Sequence, residues 1–217
     1  STEETSDLLG TSISLSMLGN EYITIGNYED ARLCFNRSLS ISEKLGDKVG
    51  ICVSLNGLGN IEMSTNELIS AQLIFEKSKK ISFEIGDNDG ISICLMYLGA
   101  IAEIQGLYKN AIEYYKNSLE IKEKLGRKAY LASDYPSLAK IYILTQSADK
   151  ALPLYLKSQT ISKEMLADNF SIMNEEEKSA YLEKTNSIFN NINEFTLLFG
   201  NQFDSLTGAC YDNELIL

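Results

Sequence analysis

A 40-residue period runs through this chain from about residue 12 to residue 166 and constrains its fold more than any other feature. The stretch SDLLGTSISLSMLGNEYI, from Ser6 to Ile23, returns as GDKVGICVSLNGLGNIEM from Gly46 to Met63 and as GDNDGISICLMYLGAIAE from Gly86 to Glu103. Four units align without a gap. Gly19, Gly59, Gly99 and Ala139 share one position, and Ala31, Ala71, Ala111 and Ala151 share a second. Phe35, Phe75, Tyr115 and Tyr155 share a third, Leu18, Leu58, Leu98 and Leu138 a fourth, and Ile41, Ile81, Ile121 and Ile161 a fifth. Repetition at this length marks stacked supersecondary units, each too small to bury its apolar face alone.

Within a unit the apolar spacing is helical: Leu15, Leu18, Tyr22 and Ile25, then Tyr28, Ala31, Phe35, Leu39 and Leu45. Gly26 and Asn27 separate the two runs. Gly46, Gly86 and Gly126 stand where a C-cap belongs, and Asp7, Asp47 and Asp87 where each could cap a following helix. Each unit is therefore expected to be an antiparallel helical hairpin. Gly19 is expected to face Ala31 closely, and Phe35 and its equivalents to wedge between successive hairpins. The fold expected is all-α, a superhelical solenoid of stacked hairpins over residues 1–166, with units at about 12–50, 51–90, 91–130 and 131–166. Its concave surface would be lined by the first helix of each unit. Pro136 and Pro153 are expected to kink or shorten the helices of the fourth unit.

The positions Leu15, Leu18, Gly19, Tyr22, Ala31 and Phe35, recurring through residues 12–166, resemble the tetratricopeptide repeat. The usual unit has 34 residues. This one has 40 and a GDxxG turn, and is similar to the variety in GoLoco-containing spindle-orientation adaptors and many bacterial signalling proteins. Asn66 in place of Gly26 and Gly106, and Glu62 in place of Tyr22, depart from the pattern. Residues 167–217 lie outside the period and hold nine acidic residues against two basic. They are expected to form an acidic helical cap or connector, with a capping box from Asn174 to Glu177 and a long amphipathic helix over about 175–199. NFSIMNEEEKSAYLEK, from Asn169 to Lys184, and CYDNELIL, from Cys210 to Leu217, resemble the connector of bacterial TPR-CHAT proteins. In that family the repeats precede a caspase-like protease domain, so the resemblance implies a sensor or regulatory half whose catalytic partner lies downstream.

Composition narrows the chemistry. The chain has no histidine, which excludes Ser-His-Asp and Cys-His catalysis and imidazole metal sites. Its glycines recur with the period and not as a phosphate-binding loop after a strand, and no cofactor is called for. Glu175 and Glu177 face different sides of a helix, as solvated carboxylates do. With 30 Asp and Glu against 19 Lys and Arg, a formal net charge of -11, the chain is a poor nucleic-acid partner. Lys77, Lys79 and Lys80 are expected on a solvated outer face. No segment reaches the roughly 18–20 apolar residues of a membrane span, so the cytosol is the default compartment. Cys34, Cys52, Cys94 and Cys210 lack metal-type spacing and are expected as free thiols, the first three buried. The missing initial Met and partial first repeat read as a fragment or processed form. Oligomeric state is left open.

A non-enzymatic scaffold for a protein or peptide partner follows. Its candidate groove positions are Ile13, Ser16, Asn20, Ile23 and Thr24 in the first unit and Val53, Asn56, Asn60, Met63 and Ser64 in the second. Ile93, Met96, Tyr97, Ala100, Glu103 and Ile104 belong to the third, and Ser133, Lys140, Ile143 and Leu144 to the fourth. Asn20 and Asn60 are the sharpest, because an amide both donates and accepts and so can grip a peptide backbone of any sequence. The resemblance implies this role for asparagines at the matching position. Ala100 and Lys140 end the amide row. The basic residues of a carboxylate clamp are replaced by Ser16, Ile93 and Tyr97, which argues against an acidic C-terminal tail as ligand. Ile13, Ile23, Val53, Met63, Met96, Tyr97 and Ile104 suggest an apolar groove, unless some of them face the inter-helix core.

Overall fold

The computed structural model describes residues 2–170, 174 and 176–178. The described secondary structure is helical. The eight long helices are α1 (Thr2–Thr24), α2 (Tyr28–Leu45), α3 (Lys48–Ser64), α4 (Leu68–Glu84), α5 (Asn88–Ile104), α6 (Tyr108–Lys124), α7 (Lys128–Leu144) and α8 (Ala148–Phe170). Two compact units divide within α6, after Tyr114. The first holds α1–α5 and the start of α6. The second holds the rest of α6 and the hairpin of α7 and α8.

The turns explain the period. From residue 26 to residue 146 every twentieth residue has a left-handed backbone: Gly26, Gly46, Asn66, Gly86, Gly106, Gly126 and Gln146. This geometry ends a helix by turning its last carbonyls back onto the chain, as when Gly46 donates to Glu43 and Ser42. Asn66 therefore keeps the backbone of the glycines it replaces. Asp87 caps α5 by accepting from the Gly90 N–H at 2.9 Å. Asp47 occupies the same position before α3 without a side-chain cap bond, and Asp7 lies inside α1.

In the first unit the core repeats with the sequence. Ala31, Phe35, Leu58 and Ile61 form one buried cluster, and Ala71, Phe75, Leu98 and Ile101 form the same cluster 40 residues on. The expected wedge is present, but Gly19 answers to a different partner. A Cβ on Gly19 would come within 2.7 Å of the Phe35 ring, and one on Gly57 within 2.3 Å of the same ring. Phe35 thus lies between a glycine of its own hairpin and a glycine of the next, and Gly19 is small for Phe35 and not for Ala31. One repeat later, at the register of Gly57, Tyr97 stacks on Phe75 with ring centroids 4.5 Å apart.

A second buried layer is polar. Ser38, Ser78, Ser118 and Ser158 share one register and are all buried. The Ser38 hydroxyl donates to the Ser12 carbonyl at 2.9 Å, and Ser12 and Ser16 contact Ser38 through their hydroxyls at 3.0 and 2.8 Å. Small hydroxyls let neighbouring helices approach and still satisfy their own polar atoms.

In the second unit, neither proline shortens its helix: α7 runs 17 residues through Pro136 and α8 runs 23 residues through Pro153. Pro136 has no N–H for the Ala132 carbonyl four residues back. The Ser158 hydroxyl supplies the missing donor at 2.6 Å. The same serine-to-carbonyl bond exists in other repeats without proline, so the fourth repeat tolerates Pro136 through a bond the register already provides. Pro153 frees the carbonyl of Asp149, whose residue is exposed and open to water. At Asn174 the expected capping box is formed: Asn174 N–H donates to Glu177 and Glu177 N–H donates to Asn174 Oδ1, both at 2.9 Å. The amphipathic helix expected over 175–199 and most residues resembling a TPR-CHAT connector lie outside the described residues.

Candidate interaction face

In the first unit the first helices α1, α3 and α5 neighbour one another. Their register carries equivalent side chains to equivalent places, and the structure sorts the groove candidates by burial. Ile13 is 54% exposed, Val53 44% and Ile104 57%. Ile93, in line with Ile13 and Val53, is half-buried, as are Met96 and Ala100. Ile13, Val53 and Ile93 therefore form a row of β-branched side chains across three helices. Met17, also exposed, lies one turn further along α1 and was not among the sequence candidates.

Asn20 is exposed and Asn60 half-buried, seven residues beyond Ile13 and Val53 on their helices. Seven residues of helix rise about 10 Å, so the amide row runs beside the apolar row at that distance. Neither amide side chain has a hydrogen-bond partner among the described residues. Asn56 differs from them. It is half-buried, and its Oδ1 accepts from the Cys94 thiol at 3.5 Å, a tie between α3 and α5.

Other candidates belong to the core. Ser16 is buried on Ser38. Ile23 packs against the Phe35 cluster, and Met63 and Tyr97 against the Phe75 cluster. The second helix of the same hairpin or a neighbouring hairpin covers these positions, which a helical period alone cannot separate from groove positions beside them. Thr24 and Ser64 are exposed near the ends of their helices, and Glu103 is half-buried. In the second unit, Ser133, Lys140 and Leu144 are exposed on α7 and Ile143 is half-buried.

The first unit has another concavity that the sequence reading missed. Tyr28, Glu29, Arg32, Leu33, Asn36 and Thr65 line an open cleft of about 520 Å³. The Arg32–Glu62 ion pair holds α2 and α3 together beside it. Its residues form no binding motif and come together only where the second helix of one unit packs against the first of the next.

The buried serine layer was also missed, although its 40-residue spacing was available. In the second unit Lys122 occupies the register of Ser42, Ser82 and Ser162. Its side chain is 4% exposed and pairs with Asp134, which takes the register of Ser54 and Cys94. Beside it the Tyr135 hydroxyl donates to Glu123, which also pairs with Lys157 at 3.3 Å. The Tyr135 bond, opposed by burial and aided by Lys157, holds the Glu123 carboxyl below its ordinary range. Burial first, then Glu123, pushes the Tyr135 phenol up. These groups bond one another, with Lys122 and Asp134 largely shielded and Glu123 and Lys157 on the surface.

Cys34, Cys52 and Cys94 are free and buried, as expected. Burial pushes the Cys94 thiol up to about 11, far from the thiolate needed for nucleophilic attack. Among the described residues, no helix is long and apolar enough to cross a membrane, and no group of three or more Cys, Asp and Glu could hold a metal.

Paired helices, left-handed turns at constant spacing and an aromatic wedge between hairpins define a helical-repeat array. Tetratricopeptide repeat models match residues 14–45 and 91–164. No curated protein sequence matches the chain. Solved structures share the fold at low identity. BtubC (BKLC) from P. vanneervenii is 17% identical, with a TM-score of 0.65 over 99% of this chain and 88% of its own. The apo form of RapI is 18% identical, with a TM-score of 0.66 over 95% of this chain and 80% of its own. Aspartyl phosphate phosphatase F from Bacillus subtilis is 12% identical, with a TM-score of 0.69 over 96% of this chain and 60% of its own.

Proposed function

We propose that this chain is a non-enzymatic scaffold that holds a peptide or helical segment of a partner protein on the first-helix face of its first unit. The observation that carries this reading is the pair Asn20 and Asn60, whose amides stand in register with no described partner beside the exposed row of Ile13 and Val53. Amides grip backbone and aliphatic groups seat anchors, which separates affinity from sequence preference. The tetratricopeptide repeats support a protein partner, and a buried, raised Cys94 thiol and a chain without histidine fit binding better than catalysis.

The experiment is capture of a partner from the source organism, followed by its affinity for the wild type and for Asn20→Ala with Asn60→Ala. The double variant should bind at least about fivefold more weakly, since two amide contacts to backbone contribute about 0.5–1.5 kcal/mol each. Unchanged affinity rejects the amide grip.

A further inference from the structure

The first-helix face has a chemistry of its own, because charge in the first unit is divided by helix type. Lys48 is the single basic residue of α1, α3 and α5, and its ammonium lies 3.5 Å from Glu84. Asp7, Glu21, Glu62, Asp89 and Glu103 are spread over the same three helices. The second helices α2 and α4 carry six basic residues against five acidic ones, Glu29, Asp30, Glu43, Glu76 and Glu84, and are close to neutral. Arg32 reaches across to Glu62 and offsets one of the anions. Asp7 and Glu21 are exposed and have no ion-pair partner among the described residues, and Glu21 directly follows Asn20. A ligand lying over Asn20 and Ile13 therefore meets uncompensated negative charge.

The spacing sets the shape of that ligand. Packed helices stand about 8–10 Å apart, so the steps from Ile13 to Val53 and from Val53 to Ile93 are each of that order. A polyproline II segment has three residues per turn and rises about 3.1 Å per residue, which returns every third side chain to the same face after about 9 Å. Its backbone makes no internal hydrogen bonds and is free to meet amides such as Asn20 and Asn60. An α-helix crossing the same row would hide its backbone and leave those amides unused.

Resting on the peptide-scaffold reading, we infer that the occupant is an extended cationic segment of a partner protein, in polyproline II form, with an aliphatic side chain at every third residue. The aliphatic groups seat on Ile13, Val53 and Ile93, the backbone meets Asn20 and Asn60, and Lys or Arg side chains face the acidic flank that includes Glu21.

The test uses the full chain and two labelled dodecapeptides, four repeats of Pro-Val-Lys and four of Pro-Val-Glu, followed by fluorescence anisotropy. The Lys peptide should bind at least about tenfold tighter at about 50 mM salt and lose much of that margin at about 200 mM. Ile13→Ser with Val53→Ser should weaken it about tenfold. Leu33→Ser with Leu73→Ser, which removes as many exposed aliphatic groups from the second helices, should leave it unchanged. Equal binding of the Glu peptide overturns the cationic occupant, and a loss confined to the Ile13 and Val53 variant would then still uphold the groove. Equal loss in both double variants, or no binding of either peptide at millimolar concentration, overturns the inference. So does concentration-dependent self-association abolished by the Ile13 and Val53 changes, which would make a second copy the occupant.

Discussion

Ser158→Ala tests how the fourth repeat accommodates a proline in mid-helix. The Ser158 hydroxyl donates to the Ala132 carbonyl at 2.6 Å, and both residues are buried. Pro136 has no N–H to serve as the intrahelical donor to that carbonyl, so removing the hydroxyl leaves a buried acceptor unpaired. The cost of such a group is about 1–3 kcal/mol. Ser78 makes the equivalent bond to the Cys52 carbonyl at 3.4 Å, where the helix supplies its own donor from Asn56. Ser78→Ala should therefore cost only about 0.5–1 kcal/mol. In a Pro136→Ala background Ala132 regains its helical partner, and the effect of Ser158→Ala should shrink by about 1–2 kcal/mol. Urea unfolding followed by circular dichroism measures the cycle, with equal m values required of the four proteins. A Ser158→Ala loss that is independent of residue 136, or no larger than that of Ser78→Ala, refutes the account.

Three more perturbations probe the array. Gly57→Ala should destabilise by about 1–3 kcal/mol, because the new methyl meets the Phe35 ring at 2.3 Å and Gly19 blocks its retreat. Gly10→Ala on α1 meets nothing within 4 Å and should stabilise by up to about 1 kcal/mol; melting shifts of the same sign would reject this contrast. Lys122→Ser should cost about 3–5 kcal/mol by stranding Asp134, and adding Asp134→Ser should recover most of it in urea unfolding; additive losses would show that the pair is not coupled. The Glu123 carboxyl is held below its ordinary value of 4.5, so the stability it contributes is present above that pH and is lost as pH falls through the lower folded value. Tyr135→Phe should flatten this acid-side decline in melting temperature, and an unchanged profile would remove Tyr135 as its cause.

Sequence alone determined the repeat, the helical hairpins and the small and aromatic positions, because each reflects a local period or a turn that one residue type serves best. Gly46, Gly86 and Gly126 were legible as helix ends for that reason, and Phe35 as a wedge because it recurs. The partner of Gly19 was not legible, since Ala31 and Phe35 lie on the same following helix and only packing decides which meets it. Exposure on the first-helix face was half legible. Periodicity placed Ile13, Val53, Tyr97 and Ser16 together on first helices, but Phe75 of the preceding hairpin covers Tyr97, Ser38 of the same hairpin covers Ser16, and Ile13 and Val53 are left in solvent. Tertiary structure alone also decided that Asn56 meets Cys94 while Asn20 and Asn60 meet no described group, and that Pro136 needs no break in α7. Burial and hydrogen-bond partners belong to pairs of residues far apart in the chain, and a period describes one residue at a time.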